Sequence, residues 1–339
     1  MKEVEELKTV FDFGKLTKED VIKEANDDLH QAEEILNSSK IILGSDLLSM
    51  KAEEIPTLLC PIFPKVGLVG LAGSSDAGKS ASLRHFLFSV VTGQSDWIGF
   101  KLNQLHKKAI YVSSEDGMNS LAFLFQKLNN EYNVSPERLS GLKVITDTEN
   151  LLEKLEDELQ KEKVDVIVLD TFGDLYSKSM NESNQVRSFL NDFSRIAEKY
   201  QCLVIFLHHT GKKTEEFAPS KHNLLGSQGF ESKMRVVIEL RLDRYQTDVR
   251  HFCIVKGNYL PREYKESSYV LRMNQNFFFS ATGERVSFEE LAGSDDTQKK
   301  ELEENILSLH ESGMKQQEIA IQLGTSQSKV SRVIKKSEK

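Results

Sequence analysis

The residues from Gly73 to Ser80, GSSDAGKS, constrain the fold of this chain more than any other stretch. Two glycines at this spacing, followed by lysine and serine, are typical of a loop that wraps around phosphate groups. Glycine allows the backbone to turn through left-handed conformations and to approach a ligand closely. The N–H groups at the start of the next helix attract an anion. Since an apolar run precedes the loop and a helical pattern follows it, the sequence predicts a phosphate-binding strand–loop–helix unit.

The residue types of this loop match the chemistry of ATP with Mg²⁺. Lys79 is expected to reach the β- and γ-phosphates, and the Ser80 hydroxyl is expected to hold the metal. Asp76 would bring a carboxylate close to the phosphates, so we expect its side chain to point outward. The residues expected to bind the nucleotide are Gly73, Ser74, Ser75, Asp76, Ala77, Gly78, Lys79, Ser80 and Ala81.

Composition limits where the chain acts and what it binds. No apolar run approaches the length of a membrane span, and the first residues are too charged for a signal peptide. Three widely separated cysteines without C-x-x-C spacing indicate free thiols in a reducing cytoplasm rather than a zinc cluster. The net charge of −8 disfavours nucleic acid as a general partner. Any such contact should therefore be local, and residues 313–339, with six basic and two acidic side chains, are one candidate.

The pattern along the chain predicts three segments. Residues 1–55 are polar and helical, with apolar side chains at helical spacing from Val21 to Ile35. Residues 56–290 alternate strands with helices, and the strand candidates include GLVGLAG, KKAIYVSSE, LKVIT, VDVIVLD and CLVIFLHH. This alternation predicts an α/β domain with a mostly parallel sheet covered on both faces, extended by later hairpin strands. A polar linker then leads to a small helical domain at 298–339.

Carboxylates at the ends of predicted strands could complete the site, because ligands lie at the carboxyl ends of parallel strands. Asp170 ends the strand VDVIVLD and is expected to order the water shell of Mg²⁺. The next residue, Thr171, stands where many P-loop ATPases carry the glutamate that activates water. We therefore expect the base elsewhere and favour Glu115, at the end of another strand, with Asp116 and Asp174 as alternatives.

The strand CLVIFLHH ends in His208 and His209. A polar side chain at this position could contact the γ-phosphate and transmit its loss to the following loop. We favour His209 for this role over His208, although either could simply cap the strand. The surrounding residues lack the ligand spacing of a zinc site.

Together the phosphate loop, Glu115, Asp170 without a following glutamate, and HHTGK resemble the RecA-fold ATPases. The segments LGSQGFESKMRVVIEL (225–240) and VKGNY (255–259) are similar to the RepA type of hexameric plasmid-replication helicase and its phage and mobile-element relatives. The resemblance covers about residues 40–275.

This resemblance implies a site shared between subunits. Within one subunit it would use Lys79, Ser80, Glu115, Asp170 and His209. Arg235 matches an arginine that completes the neighbouring site, where a guanidinium neutralises charge on the transferring phosphoryl group. Lys256 matches a second basic residue acting across the interface, whereas Asn258 replaces an arginine of some relatives, which makes Arg235 the better arginine finger. From the residues alone, a surface salt bridge at the start of a strand is the alternative for Arg235.

Two loops and the C-terminal segment are candidates for DNA contact. The loops GDLYSKSMNES and GKKTEEFAPSKHN follow Asp170 and His209, and the resemblance implies that they line a ring's central channel, although both also fit ordinary mobile loops. In the C-terminal segment, apolar residues spaced around Gly324 predict a helix-turn-helix similar to that of resolvases and sigma-type regulators. A helical hairpin for oligomerisation is the alternative. The predicted DNA-binding residues are Lys212, Lys213, Lys221, Gln327, Ser328, Lys329, Arg332 and Lys335.

The sequence as a whole predicts a ring-forming homo-oligomer, a hexamer by resemblance, that hydrolyses ATP with Mg²⁺ and acts on DNA. Its most specific interpretation is a replicative helicase of a plasmid or other mobile element. The alternative is a non-motor regulator of replication, recombination or transcription, in which ATP controls assembly on DNA. A small-molecule kinase would leave His209, Arg235 and the helix-turn-helix without a role.

Overall fold

The computed structural model of the chain describes residues 42–50, 54–211, 214–292 and 296–337. The chain divides into two units, residues 1–55 and 56–339. In the first unit, the described segment contains helix α1 (Gly44–Ser49). The predicted helical series from Val21 to Ile35 lies outside the described residues.

The second unit contains all the strands that the structure describes. Several strands, such as those at 67–73, 166–170 and 203–209, are apolar and buried, as expected for strands covered on both faces, whereas the strand at 279–287 is mostly exposed. In chain order the strands are β1 (Thr57–Cys60), β2 (Phe63–Pro64), β3 (Gly67–Gly73), β4 (Asp96–Trp97), β5 (Phe100–Leu102), β6 (Ala109–Ser113), β7 (Leu142–Ile145), β8 (Val166–Asp170), β9 (Leu203–His209), β10 (Val236–Leu242), β11 (Val249–Gly257), β12 (Ser267–Met273) and β13 (Phe279–Ser287).

The main sheet brings the predicted site residues to one edge. Its strand order is β7–β6–β8–β9–β3–β10–β11–β12–β13. The strands from β7 to β10 are parallel, and β11, β12 and β13 continue the sheet in antiparallel fashion. Because β9 lies between β3 and β8, the phosphate loop after Gly73, His209 and Asp170 all stand at the same carboxyl edge. The predicted α/β class with a mostly parallel sheet is confirmed.

Helices cover both faces of this sheet, and successive strand residues point into opposite cores. Along β3, for example, Val69 and Leu71 belong to one core whereas Leu68 and Ala72 belong to the other. In chain order the helices of this part are α2 (Lys79–Thr92), α3 (Met118–Tyr132), α4 (Leu151–Lys161), α5 (Phe172–Leu175), α6 (Ser183–Tyr200), α7 (Ser227–Lys233) and α8 (Phe288–Leu291).

A second, smaller sheet with the order β2–β1–β5–β4 was not predicted. Its strands are too short for an alternating pattern to be recognised in the sequence. Trp97 in β4 packs against Phe63 and Phe86, which joins this sheet to helix α2 and the main core.

The C-terminal helical unit, which we define as residues 296–337, contains α9 (Asp296–Glu311), α10 (Gln316–Gln322) and α11 (Gln327–Ser337). It has its own small core, and Gly324 adopts a left-handed φ of 59° in the turn between α10 and α11. The predicted C-terminal helices are present, while the helix-turn-helix assignment and the predicted domain boundaries at 290 and 298 stay predictions. The core residues are Ile306, Ile319, Ala320, Val330, Val333 and Ile334.

The three cysteines all lie in the described part and are free thiols, with Cys60 exposed and Cys202 and Cys253 buried. Among the described residues, no helix combines the length and the apolar character needed to cross a membrane.

Candidate functional site

The loop between β3 and α2 has the backbone geometry of a phosphate cradle. Gly78 caps helix α2 with a φ of 88°, a conformation that glycine adopts without strain. At Gly73 a Cβ atom would lie 2.3 Å from the Leu240 carbonyl oxygen, so no larger residue fits. Asp76 is exposed and therefore leaves the inside of the loop free of its carboxylate. The amide groups of the loop and of the first helical turn can thus face an anion.

Lys79 lies at the centre of a group of charges. Its side chain is buried, and its Nζ donates to the Ser74 carbonyl oxygen over 2.6 Å. Burial lowers the pKa of Lys79, whereas the carboxylates of Asp170, Glu115 and Asp76 act in the opposite direction. The structure thus brings Lys79 together with two of the carboxylates predicted for the site. An ammonium group at this place can stabilise charge on a bound polyphosphate.

Asp170 and Ser80 have the properties of a magnesium site. Asp170 is buried at the end of β8, where its Oδ2 accepts a hydrogen bond of 2.6 Å from the Tyr111 hydroxyl. Its Oδ1 has no hydrogen-bond partner among the described residues, although an unpaired buried oxygen is costly. Burial raises the pKa of Asp170, while Tyr111, Ser80 and Arg84 lower it. Carboxylate and hydroxyl oxygens suit Mg²⁺, so these two residues fit the metal.

The three carboxylates considered as the base differ in their contacts. Asp116 Oδ2 lies 3.4 Å from Arg84 Nη1, and Asp174 accepts a hydrogen bond of 2.7 Å from the Ser114 hydroxyl. The Glu115 carboxylate has no hydrogen bond to any described residue. Loss of hydration raises the pKa of Glu115, and Asp170 and Asp174 add to this effect, which Lys79 opposes. Both oxygens of Glu115 can therefore accept a hydrogen bond from water, whereas Asp116 and Asp174 each already use one oxygen in a contact with another side chain.

The two histidines at the end of β9 point to opposite faces of the sheet. His208 is buried between Phe172 and Phe230, and its Nε2 pairs with the Leu225 carbonyl oxygen at 2.8 Å. Burial lowers the pKa of His208 to about 4. His209 lies opposite Gly73 in the β3–β9 register and is half-buried. Burial and the nearby Lys79 lower the pKa of His209, against the effect of Asp170 and Asp174. His209 therefore lies beside the phosphate loop, and His208 lies in the core.

Sequence reasoning missed four side chains that support this site. Tyr111 holds Asp170, and Arg84 lies against both Tyr111 and Asp116. Side chains alternate along β6, so Tyr111 lies on the same face as Ser113. This pattern could have predicted that Tyr111 faces the same side of the sheet as the end of the strand. Glu215 accepts a hydrogen bond from the Ser74 hydroxyl over 2.5 Å. Arg250 Nε donates to the Ala77 carbonyl oxygen over 2.9 Å.

Arg235 lies at the opposite edge of the sheet from its own phosphate loop. Its backbone N–H donates to the Leu68 carbonyl oxygen near the start of β3, and its exposed side chain runs past Gly67. From Leu68 to Gly73 the strand advances roughly 17 Å at about 3.3 Å per residue. That separation is too long for Arg235 to reach the loop of its own subunit.

Apart from Arg235 and the residues of the phosphate loop and α11, the predicted basic residues either pair with Glu231 or lie outside the described residues. Lys256, opposite Val237 in the sheet, and Lys221 form ion pairs with Glu231 Oε1 at 2.9 Å and 3.3 Å. Lys212 and Lys213 lie outside the described residues. Neither Lys256 nor Lys221 is brought to the phosphate loop of its own subunit.

The predicted DNA-binding face of α11 is exposed only in part. Gln327 and Lys335 are exposed, whereas Ser328 and Lys329 are half-buried. Arg332, which DNA contact would require to be accessible, is only 17% exposed, and its Nη2 lies 3.2 Å from Glu290 Oε2. The opposite charges of the two side chains account for this docked position.

Comparison with known proteins gives a family for this geometry. The family model described as "AAA domain" matches residues 44–215, just over half of the chain. A solved structure, the KaiC-like protein from the hyperthermophilic archaeon Pyrococcus horikoshii OT3, is similar with a TM-score of 0.49 at 15% identity, covering 66% of this chain and 93% of that one. The curated proteins contain no match to the sequence. The extent of the family match and the phosphate-loop geometry show that this chain belongs to the AAA domain family of P-loop ATPases.

Proposed function

We propose that this protein is a ring-forming ATPase that acts on DNA, with each active site completed by a neighbouring subunit. The observation that carries this proposal is the position of Arg235. The residues expected to bind and hydrolyse ATP meet at the carboxyl edge of the sheet, whereas Arg235 stands at the other edge. An arginine finger at that place serves only the site of another subunit, and repeated head-to-tail contacts of this kind form a ring when the rotation between subunits closes.

Each residue of one subunit has a task in this mechanism. The amide groups of the loop and Lys79 bind the phosphates of ATP. Mg²⁺ held by Ser80 and Asp170 would supply charge neutralisation on the phosphate oxygens. Glu115 orients a water molecule toward the γ-phosphate and accepts its proton. His209 is placed to sense the γ-phosphate because it stands beside the loop.

The partner subunit supplies the remaining charge. Arg235 neutralises negative charge on the phosphoryl group as it transfers, a contribution of about 10³-fold or more in known arginine-finger enzymes. Lys256 is a second residue for this interface, and its ion pair with Glu231 would have to open for it to bind phosphate.

DNA contact is proposed for two regions of the chain. The loop after His209 carries Lys212, Lys213 and Lys221, and it leaves the same strand end that bears the γ-phosphate sensor. The helix α11 presents Gln327, Ser328, Lys329, Arg332 and Lys335, which suit phosphates and base edges. In helix α11, Gln327 and Lys335 are exposed and can contact DNA without rearrangement.

The specific form of this proposal is a replicative helicase of a plasmid or mobile element. A non-motor DNA-bound regulator is the second candidate, and the docked position of Arg332 favours it because docking can control DNA binding. We would measure ATP hydrolysis with single-stranded, double-stranded and forked DNA, together with strand separation of the fork, using Lys79→Ala as the inactive control. A helicase is stimulated by DNA and separates the strands, and a regulator binds the duplex without separating it. If none of the three DNAs changes the rate of ATP hydrolysis and the protein binds none of them, both the helicase and the regulator forms of the proposal are contradicted.

A further inference from the structure

Arg250 is a buried arginine at the base of the phosphate loop. It lies near the start of β11 and is 4% exposed. Its Nε donates to the Ala77 carbonyl oxygen at 2.9 Å, and its Nη1 donates to the carbonyl oxygens of Thr247 and Val249 at 2.7 Å and 2.9 Å. A Cβ atom built on Gly78 would lie 3.8 Å from Arg250 Nε, so the guanidinium is in direct contact with the loop.

The charge of Arg250 has no ion-pair partner among the described residues. The nearby Asp248 is paired with Arg272 at 2.6 Å instead. Burial lowers the pKa of Arg250, and Asp248 opposes this effect only in part. Burying an unpaired charge is costly, so an anion near the guanidinium would relieve that cost.

The hydrogen bond to Ala77 also orients a peptide group of the loop. In a trans peptide the carbonyl oxygen and the following N–H point in opposite directions. Because Arg250 holds the Ala77 oxygen on its own side, the N–H of Gly78 points to the other side, into the loop. We propose that Arg250 is a positioning residue that fixes this peptide for phosphate binding and adds a buried positive charge to the site. This proposal rests on the nucleotide-binding part of the proposed function.

Binding of ADP to the full-length protein tests this role. Arg250→Met keeps the bulk of the side chain but removes its charge and hydrogen bonds, and we expect it to weaken ADP binding about 10- to 100-fold, the scale for losing a hydrogen bond from a charged group. Arg250→Lys should recover at least part of the affinity, which a space-filling role would not explain. Arg272→Gln, which removes an exposed arginine from the neighbouring strand, is the matched control and should bind ADP like the wild type.

Circular dichroism and the unfolding midpoint show whether each variant is folded. If Arg250→Met does not fold, Arg250→Gln takes its place with the same expected loss of at least tenfold. Wild-type affinity in a folded, uncharged variant overturns the proposal for Arg250. A wild-type protein that does not bind ADP at all overturns the nucleotide-binding assignment itself.

A separate observation concerns the surface on which the C-terminal helical unit rests. We call Asp243, Tyr245 and Glu290 the acidic docking surface. Glu290 Oε2 accepts a hydrogen bond of 2.8 Å from the Ser326 hydroxyl and lies 3.2 Å from Arg332 Nη2, while Asp243 Oδ2 lies 3.9 Å from Arg332 Nη1.

The acidic docking surface also contacts the end of α11. Lys336 Nζ lies 4.3 Å from the centre of the Tyr245 ring, in a cation–π contact. Of the α11 residues proposed to hold DNA, Arg332 lies on this docked face, whereas Gln327 and Lys335 are exposed. Carboxylates and DNA phosphates would compete for the Arg332 guanidinium, so the docked arrangement is opposed to DNA binding through Arg332.

Arg244 connects this docking surface with the phosphate loop. Its Nη2 donates to the Leu291 carbonyl oxygen at 3.2 Å, in the helix α8 that carries Glu290. The same Nη2 donates to the Glu215 carbonyl oxygen at 2.9 Å, and the Glu215 carboxylate accepts from Ser74. A bound polyphosphate would repel the Glu215 carboxylate from the loop. The contacts of Glu215 and Arg244 therefore connect the phosphate loop with helix α8, on which the C-terminal helical unit docks.

We infer that docking keeps Arg332 from contacting DNA and that nucleotide binding releases the C-terminal helical unit through Glu215 and Arg244. This inference rests on the DNA-binding part of the proposed function. Its test is the affinity of the full-length protein for a fluorescein-labelled duplex of mixed sequence, measured by anisotropy at one fixed salt concentration. Salt must be fixed because contacts with DNA phosphates depend on it.

Glu290→Ala should bind the duplex about two- to fivefold more tightly than the wild type, the scale of a partly exposed ion pair. Glu289→Ala is the matched control: it removes the same charge from the same helix, at an exposed position without a hydrogen bond to the C-terminal helical unit among the described residues. A non-hydrolysable ATP analogue should tighten duplex binding by the wild type but not by Arg244→Gln. If Glu290→Ala and Glu289→Ala bind equally, the docking inference fails. If no variant binds the duplex in any nucleotide state, the proposed DNA contact fails.

Discussion

Glu115→Gln should separate hydrolysis from nucleotide binding and from stability. The substitution removes the proposed base but keeps the size of the side chain. We expect hydrolysis to slow at least about 10²-fold, the usual scale for loss of a general base, while ATP binding persists. The structure also gives the direction of the effect on stability, because the surroundings of the carboxylate raise its pKa.

A carboxylate whose pKa is raised on folding is less stable as an anion in the folded protein than in the unfolded chain. Above its folded pKa, Glu115 therefore favours unfolding, and a neutral glutamine removes this effect. The free energy of unfolding at neutral pH should be unchanged or slightly higher in Glu115→Gln. Asp116→Asn is the matched comparison, since it breaks the 3.4 Å contact with Arg84 and should cost about 0.2–1 kcal/mol of stability.

The assay combines single-turnover hydrolysis of ATP with denaturant unfolding of both variants. The expected pattern is slow hydrolysis with full stability for Glu115→Gln, and near-normal hydrolysis with a small loss of stability for Asp116→Asn. The reverse pattern, in which Asp116→Asn blocks hydrolysis and Glu115→Gln does not, would show that Asp116 is the base.

Three further predictions address other parts of the molecule. Lys79→Ala should abolish hydrolysis because it removes the main cation of the loop, and turnover at the wild-type rate would refute the phosphate-loop assignment. Removal of residues 298–339 should weaken duplex binding at matched salt while basal hydrolysis stays near normal, and an unchanged duplex affinity would instead support a role in oligomerisation. The pKa values of His208 and His85 are about 4 and about 3 in the folded protein, below the usual 6.5, so the unfolded chain binds more protons in acid. The free energy of unfolding should therefore fall as the pH decreases from about 6.5 to about 4; His208→Asn should reduce this fall, and an equal fall in that variant would show that His208 does not cause it.

The parts of the fold that follow from local pattern could be predicted. The glycines of the phosphate loop, the apolar run of β3 and the helix after it are adjacent in the sequence, so their spacing already defines the unit. The period of two in β9 likewise places His208 and His209 on opposite faces, which agrees with their different surroundings in the structure.

The contacts that support the site from a distance could not be predicted in this way. Ser74 and Glu215 are 141 positions apart, and Ala77 and Arg250 are 173 positions apart, so no periodicity relates them. The only sequence signal for Arg250 was an arginine at the start of an apolar strand. The docking of Arg332 on Glu290 had no such signal, because both residue types are commonly exposed.

The claim that each active site is shared between subunits is tested most directly by mixing two inactive variants. Arg235→Ala retains a complete loop, metal site and base, and Lys79→Ala retains the arginine. In an equal random mixture, about half of the subunits carry an intact loop and about half carry Arg235. Each interface combines the loop of one subunit with residue 235 of its neighbour, so about a quarter of the interfaces have both intact.

The measurement is the ATPase rate of that mixture after tagged chains have shown that subunits exchange. We predict that activity reappears well above the background of either variant, since an arginine finger contributes about 10³-fold or more to turnover. A mixture that exchanges subunits and remains inactive would contradict the shared site, and Arg235 would then act within its own subunit or only in the structure.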